Sequence, residues 1–285
     1  MIEILAAAGL VTVQDAGRTG HAHLGVPRAG ALDAPALRLA NRLVGNPPEA
    51  AALEITAAGL AVRARTAVTA ALTGAPAGLT RDGRPVPYGA PVPVPAGAVL
   101  AVGPARYGLR SYLALAGGVA VPPVLGSRST DTLSGLGPAP LRPGDLLPLG
   151  PAGPWVSTVD FVPATAGAGT VRPRVRAGPR AHWFTPAARR LLVRAAYTVT
   201  PVGNRVGVRL AGPVLDRAVP GELPSEPLVC GAVQVPGGGT PLVFLADHPT
   251  TGGYPVIAVL HPDDLPLLAQ AVPGTTVRFR PAPGY

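Results

Sequence analysis

Three polar clusters carry side chains capable of chemistry. The first is Gln14-Asp15-Ala16-Gly17-Arg18, leading into Gly30-Ala31-Leu32-Asp33. A carboxamide matches another amide donor for acceptor, a guanidinium clamps a carboxylate through two parallel hydrogen bonds, and a carboxylate can take a proton. The same residues also suit loop construction, with Asp15 paired to Arg18 and Asp33 capping a helix. The second is Gly108-Leu109-Arg110-Ser111-Tyr112, with Gly117-Gly118 behind it and Gly126-Ser127-Arg128-Ser129-Thr130-Asp131 further on. Glycines at a strand end let backbone approach a ligand, and Arg128 among hydroxyls makes an anion cradle. A structured turn closed by an Arg–Asp pair uses the same residues. The third cluster is Ser225-Glu226, Gly231-Ala232-Val233-Gln234, and Asp247-His248-Pro249-Thr250-Thr251-Gly252-Gly253-Tyr254 after an apolar run, Leu242–Ala246. Sites often lie just past a buried strand. Asp247 and His248 could serve as an acid–base pair only if a turn brings them together, since neighbours on a strand face opposite ways. Thr250 to Gly253 also reads as a tight turn.

Weaker features have structural readings. His21-x-His23 has no third ligand at metal-site spacing. Arg172, Arg174 and Arg176 alternate, so on one strand they share a face, which reads as solvated. Cys230 reads as a small buried hydrophobe rather than a nucleophile. Ser127 lacks the Gly-x-Ser-x-Gly spacing of a nucleophile elbow.

The elements that must position these clusters are short. Strands are expected at Ile2–Ala6 and Leu10–Val13, then a Gly-rich loop from Gln14 to Gly30. A helix capped by Asp33, with Pro35 in its first turn and Leu37, Ala40 and Val44 at helical spacing, stops at Gly45-Asn46-Pro47. Asp82-Gly83 marks a hairpin, and Arg110–Leu115 a strand. Residues 163–170 read as a linker, which places domains at 1–168 and 169–285. In the second half a helix capped by Thr185 runs from Pro186 to about Arg194. Strands follow near Thr198, Val206–Leu210, Ala232–Val235 and Leu242–Ala246, then a helix near Asp263–Gln270 and a last strand, Thr276–Arg280. The expected class is mainly β, with two barrel-like domains and a few short helices.

Composition narrows function. The chain has 285 residues, 47% of them apolar, with 37 glycines and 37 prolines. That much apolar matter supports a folded, turn-rich β protein rather than a disordered one. All 24 basic residues are arginine; there is no lysine. Arginine forms no Schiff base and accepts no biotin, so the chain cannot itself be a pyridoxal enzyme, a biotin carrier, a Walker-A ATPase or an ordinary protein kinase. The net charge of +9 is spread evenly and aromatics are 4%, which suits acidic partners or carboxylate substrates better than nucleic acid. With one cysteine no intrachain disulfide forms. No signal peptide or membrane-spanning run is read, so a cytoplasmic location is expected.

These clusters, in this order, resemble one family, variously called allophanate hydrolase subunit 2, biotin-dependent carboxyltransferase, KipA or the C-type subunit of 5-oxoprolinase. The matching stretches are Val13–Gly20, Gly30–Asp33 with Ala40–Asn46, Ala52–Ile55, Gly108–Ala114, Gly126–Thr130, Asn204–Leu210, Gly231–Pro236 and Asp247–Pro255. The sequence departs from the usual pattern at Pro27-Arg28-Ala29 before Gly30, at Ala31-Leu32 and at Pro249. The resemblance implies two cyclophilin-like β domains. It implies partnership with a 5-oxoprolinase B (KipI-like) subunit and a large A subunit that handles ATP with magnesium, this chain binding no cofactor or metal itself. The reaction implied is ATP-dependent opening of 5-oxo-L-proline to L-glutamate. The alternatives are carboxyl transfer in a biotin-dependent urea-type carboxylase, or a non-catalytic KipA-like antagonist of a kinase inhibitor. On this reading Asp15, Asp247 and His248 are the acid–base candidates. Gln14, Arg18, Asp33, Arg110, Arg128, Gln234, Thr250 and Thr251 would bind a small amide or lactam, with Arg110 or Arg128 on its carboxylate. Nucleic acid and membrane are not expected partners.

Overall fold

The structure is a computed structural model and describes residues 1–153, 161–163 and 169–283. Most of the expected linker, residues 164–168, lies outside the described residues. The chain forms two compact units. The first comprises Met1–Arg18, Ala29–Asp131 and Gly135–Gly167, and the second Thr19–Arg28, Thr132–Ser134 and Ala168–Tyr285.

In the first unit the elements are β1 (Ile2–Ala7), β2 (Leu10–Gln14), α1 (Ala34–Leu43), β3 (Ala52–Thr56), β4 (Leu60–Ala64), β5 (Val68–Gly74), β6 (Ala77–Arg81), β7 (Arg84–Pro85), β8 (Val92–Val94), β9 (Val99–Ala105), β10 (Arg110–Leu115) and β11 (Leu146–Leu147). They build a six-stranded sheet, β11-β1-β4-β9-β6-β7, and a five-stranded sheet, β2-β3-β10-β5-β8. Alternation explains the packing. Val11, Val13, Leu53, Ile55, Leu113 and Leu115 of the second sheet join Ile2, Ile4, Val62 and Leu100 of the first in one core. The opposite face of the five-stranded sheet carries Ala52, Ala71, Tyr112 and Ala114, and α1 lays Ala36, Leu37, Ala40 and Leu43 over them. Buried on both faces, β10 has no exposed residue.

The strands, the helix and the hairpin of this unit form as their sequences predict. Asp33 caps α1, its Oδ1 accepting from Ala36 N at 3.0 Å. Asn41 Nδ2 donates to Ala50 O (2.7 Å) and Asn46 Nδ2 to Leu115 O (2.8 Å), tying down the helix end. Asp82 and Gly83, at φ 49° and 75°, make the turn between β6 and β7, the left-handed pair that suits a twisted hairpin.

The second unit contains β12 (Thr170–Val171), β13 (Arg174–Ala177), α2 (Pro186–Arg194), β14 (Tyr197–Gly203), β15 (Gly207–Ala211), β16 (Glu226–Pro227), β17 (Ala232–Gln234), β18 (Leu242–Phe244), β19 (Thr251–Gly252), β20 (Val256–Leu260), α3 (Leu265–Ala269), β21 (Thr276–Val277) and β22 (Arg280–Pro281). Its nine-stranded sheet runs β12-β21-β14-β15-β18-β17-β20-β13-β22. The pairs β12–β21 and β13–β22 occupy opposite ends of that order, yet each chain segment passes from one to the other through two residues. A link that short spans only about 10 Å, so the sheet must curl until its ends meet, the geometry of a barrel. Arg278 N to Val171 O (2.9 Å) and Arg280 N to Pro173 O (3.0 Å) stitch this corner.

One expectation is corrected here. The last strand is not continuous over Thr276–Arg280 but breaks at the corner. Arg172, Arg174 and Arg176 do share an outward face, alternating with buried Val171, Pro173 and Val175, and on it Arg174 Nε and Nη2 grip Asp264 at 2.8 and 2.7 Å. Thr185 Oγ1 caps α2 through Ala188 N at 3.0 Å, as expected.

The Arg174 bonds hold the Asp264 carboxyl below its ordinary value of 3.8. A carboxylate lowered in the folded state contributes stability that is complete above its unfolded value and lost as pH falls through the folded one. The melting temperature of Asp264→Asn should therefore lie below wild type by a constant margin from pH 7 to about 5. That gap should close as the pH drops below 3.8. A gap that persists unchanged to pH 2 would assign the loss to something other than the ion pair.

Candidate functional site

In the first unit the chain leaves β2 at Gln14 and immediately makes a knot. Asp15 Oδ1 accepts from Gly17 N (2.8 Å), Ser127 Oγ (2.6 Å) and Ser129 Oγ (2.6 Å), and Oδ2 from Arg128 N (2.6 Å). Asp15 N donates to Ser129 Oγ at 2.9 Å, and Asp15 O accepts from Ala31 N at 3.0 Å. A buried carboxylate is tolerated only when its lone pairs are met, and here hydroxyls and backbone amides meet them. The Asp15–Arg18 pair of the loop reading does not form. Arg18 instead donates through Nη2 to Ser129 O and through Nε to Val124 O (3.4 Å). Gln14 Nε2 donates to Thr12 Oγ1 and Thr130 O, both at 3.0 Å. Arg128 Nε donates to Val121 O (2.8 Å). The structure thus gathers Gln14, Asp15, Arg18 and Arg128 around residues 127–130.

A second group lies on the polar face of the five-stranded sheet. Register places Thr12 beside Glu54, Glu54 beside Tyr112 and Tyr112 beside Thr73. All four are buried. Glu54 Oε2 accepts from Tyr112 Oη (2.7 Å) and Leu32 N (3.1 Å), and Tyr112 Oη accepts from Asp33 N (2.8 Å). Arg110 Nε stands 3.7 Å from Glu54 Oε1. Burial, and then the neighbouring Glu54 charge, push the Tyr112 phenol well above 10.0. Asp33 and Arg110, expected as ligand groups, are thereby built into one network with Glu54 and Tyr112. The signal for Glu54 was a charged residue inside an apolar strand, Ala52-Leu53-Glu54-Ile55, where only a partnered carboxylate can sit. The segment carrying Leu32 and Asp33 is fixed close by. Gly30, at φ 92°, crosses Gly17 so tightly that a Cβ there would stand 2.9 Å from Gly17 N.

In the second unit Asp247 is fully buried and committed. Arg205 Nε and Nη2 each donate to it at 2.9 Å, and Thr132 adds its N (2.9 Å) and Oγ1 (2.7 Å). His248 turns its Nδ1 to Pro249 O at 2.7 Å and tilts its ring against Phe244. The expected Asp247–His248 pair is thus not wired through Nδ1, although the chain does turn at Ala246-Asp247, where His248 N donates to Leu245 O at 3.2 Å. Gln234 Nε2 donates to Tyr254 O at 2.8 Å. Thr250 O accepts from Leu228 N (2.8 Å), and Thr251 begins β19, paired with Pro227. A Cβ at Gly252 would stand 2.7 Å from Leu228 Cδ1 and 2.9 Å from Gln234 Nε2, so a larger residue there would have to displace both side-chain ends. Cys230 is only partly buried by surface, yet its apolar surroundings push the thiol up to about 11.

Clefts of about 590 Å³ (Met1, Thr69, Pro93, Leu149), 390 Å³ (Pro76, Thr80, Tyr107) and 430 Å³ (Thr200, Arg209, Thr240) open elsewhere. None of these three is lined by an expected site residue, and the polar clusters are the better guide to chemistry. Among the described residues no group of three or more His, Cys, Asp or Glu is arranged to hold a metal ion, and no helix is long and apolar enough to cross a membrane.

A mainly-β chain with a sheet curled into a barrel and buried polar knots at its strand ends defines the structural class. The family model described as "Carboxyltransferase domain, subdomain A and B" matches residues 24–281, and the chain belongs to that family. Over 282 residues it is 41% identical to the C-type subunit of 5-oxoprolinase from Escherichia coli (strain K12), covering 98% of this chain and 90% of that one. The crystal structure of TTHA0988 superposes with a TM-score of 0.88 at 40% identity, over 98% of this chain and 55% of that chain, so the chain spans about half of it. The crystal structure of the K. lactis urea amidolyase gives a TM-score of 0.90 at 31% identity, over 98% of this chain and 18% of that one.

Two substitutions test the knots. Asp15→Asn places an amide against donors that an oxygen now satisfies, and should cost about 3 kcal/mol in denaturant unfolding. Asp247→Leu alone leaves Arg205 buried without its counter-charge and should cost about 3–5 kcal/mol, while Asp247→Leu with Arg205→Met should recover most of that loss. A double variant no more stable than the single would show that the pair is not the source of the cost.

Proposed function

We propose that this chain is the C-type subunit of an ATP-dependent 5-oxoprolinase, opening 5-oxo-L-proline to L-glutamate. It would act together with a B-type (KipI-like) subunit and a large subunit that handles ATP and magnesium. The observation that carries the reading is 41% identity to the C-type 5-oxoprolinase subunit of Escherichia coli across 98% of this chain and 90% of that one. The chemistry of the chain agrees with it. A lactam needs an amide-reading carboxamide and an anion-reading guanidinium, and Gln14 and Arg18 supply both beside one strand end. A chain without lysine leaves phosphate handling to a partner. Within this reading Asp15 and Asp247 position the chain around them, since their acceptor capacity is used by protein donors. His248, whose Nδ1 is engaged by Pro249 O rather than by an acid, is the remaining acid–base candidate.

Likeness to the K. lactis urea amidolyase supports a second reading, carboxyl transfer to a urea-type amide. That chemistry needs a biotinylated carrier, which a lysine-free chain must find elsewhere.

The experiment is reconstitution. The chain co-purified with its B-type and large companions should form glutamate from 5-oxo-L-proline only when ATP and all three polypeptides are present. Gln14→Leu should reduce kcat/KM by about 10- to 100-fold in the assembled complex, as expected for the loss of one buried hydrogen bond to substrate. A complex that carboxylates urea from carboxybiotin and leaves 5-oxoproline untouched would transfer the assignment to the second reading.

A further inference from the structure

The chain buries several guanidinium groups, and Arg18 is treated differently from the others. Arg205 is matched by two bonds to Asp247, and Arg110 stands against Glu54. Arg18 is 2% exposed and forms no ion pair among the described residues. Its bonds go to two neutral carbonyls, Ser129 O and Val124 O, the second a long one at 3.4 Å. Its Nη1 is buried without a hydrogen-bond partner. A full positive charge removed from water calls for a counter-charge, and carbonyl dipoles supply only part of one. Gly137, at φ 82°, packs against the same Ser129 carbonyl and the guanidinium: a Cβ there would stand 2.1 Å from Ser129 O and 3.2 Å from Arg18 Nη2.

Gln14 adds a second unmet group. Its amide orientation is fixed, because Nε2 faces Thr130 O, which can only accept. Oε1 is therefore left as a buried acceptor without a donor. Gln14 and Arg18 are fastened to the adjacent carbonyls of Thr130 and Ser129, so one short stretch of chain positions an empty acceptor and an unpaired cation.

We propose that Arg18 receives the carboxylate of a small organic acid, and that Gln14 Oε1 accepts the N–H of an amide in that same substrate class. This rests on the 5-oxoprolinase reading for the identity of the acid. It is preferred to the expectation that Arg110 or Arg128 holds the carboxylate, because Arg110 faces Glu54 and Arg128, with Nε on Val121 O, has no buried donor lacking a partner. In 5-oxoproline the ring N–H and the carboxylate are borne by the same carbon, the pairing these two groups would select.

Calorimetric titration of the full chain with 5-oxo-L-proline, 2-pyrrolidinone (the same lactam without a carboxylate) and acetate tests this. Wild type should bind 5-oxo-L-proline at least about 30-fold more tightly than 2-pyrrolidinone, the factor expected of a charge-assisted hydrogen bond. Arg18→Gln should erase that difference and leave the weak binding of 2-pyrrolidinone unchanged. Arg18→Lys, which keeps the charge but not the planar fork, should retain an intermediate preference, and it serves where the neutral variant does not fold. Acetate bound by wild type and lost in Arg18→Gln, with 5-oxo-L-proline ignored, would uphold the anion receiver and sink the 5-oxoprolinase reading. Wild type that binds neither carboxylate, or Arg18→Gln that binds 5-oxo-L-proline as wild type does, would overturn the proposal.

Discussion

The carboxylate of Asp15 is the constraint on which the first unit's polar end depends. It joins the end of β2 to a turn 112 to 114 residues later in the chain through bonds to Ser127, Arg128 and Ser129. Such a contact closes a long loop, and the entropy of closing it must be offset by interactions that are strong in a buried setting. Three charge-assisted donors do so. The consequences run outward. Ser129 and Thr130 are held with their carbonyls where Arg18 and Gln14 reach them. Ala31 N is held on Asp15 O, which sets the Gly30–Gly17 crossing and hands the chain to Leu32, Asp33 and the start of α1. Glu54 and Tyr112 grip that same segment from the sheet, through Leu32 N and Asp33 N. The loop between β2 and α1 is thus fixed at both ends by acids buried in the protein, and Gln14 and Arg18 are held in place by the same turn.

The second unit repeats the device with a different donor set. Asp247 takes two guanidinium bonds from Arg205 and two from Thr132. In both units an aspartate just past a buried strand looks, from its residue type alone, like a catalytic acid. In both, the surrounding donors outnumber what a reacting group could leave free. This is a general hazard of reading carboxylates from sequence: the residue that organises a polar loop and the residue that moves a proton have the same side chain, and only the count of donors around it separates them.

Much of the local structure was legible because it depends on neighbours in the sequence. Asp33 and Thr185 cap helices within three residues, and Asp82-Gly83 turns a hairpin within two. The barrel closure of the second unit was not legible. It depends on Pro173 and the Arg278-Phe279 step breaking two strands so that their halves pair at opposite sheet ends, a fact of register that periodicity does not encode. The polar site was legible in membership and not in wiring. Gln14, Asp15, Arg18 and Arg128 do converge, yet Asp15 pairs with hydroxyls and amides rather than with Arg18. The role of Ser127 and Ser129 as its donors could not be seen without the fold. Glu54 left a local trace as an acid inside an apolar strand. Arg205 left none, because what singles it out is the carboxylate it meets across 42 residues.

The absence of lysine sharpens the meaning of these arginines. A lysine buried beside neutral groups can shed its proton and become tolerable; a guanidinium cannot. Each arginine drawn into this interior must therefore find an anion or remain poorly compensated. Arg205 finds Asp247, and Arg110 finds Glu54 at the longer distance of 3.7 Å. Arg18 finds only carbonyls, although Asp15 lies three residues away in the same knot. Asp15 could have compensated it, but its oxygens are taken by Gly17, Ser127, Arg128 and Ser129. Satisfying the loop with hydroxyls and backbone amides keeps the acid away from the base. The knot thereby holds a permanent cation in place without neutralising it, an arrangement suited to a negative charge that comes from outside the chain.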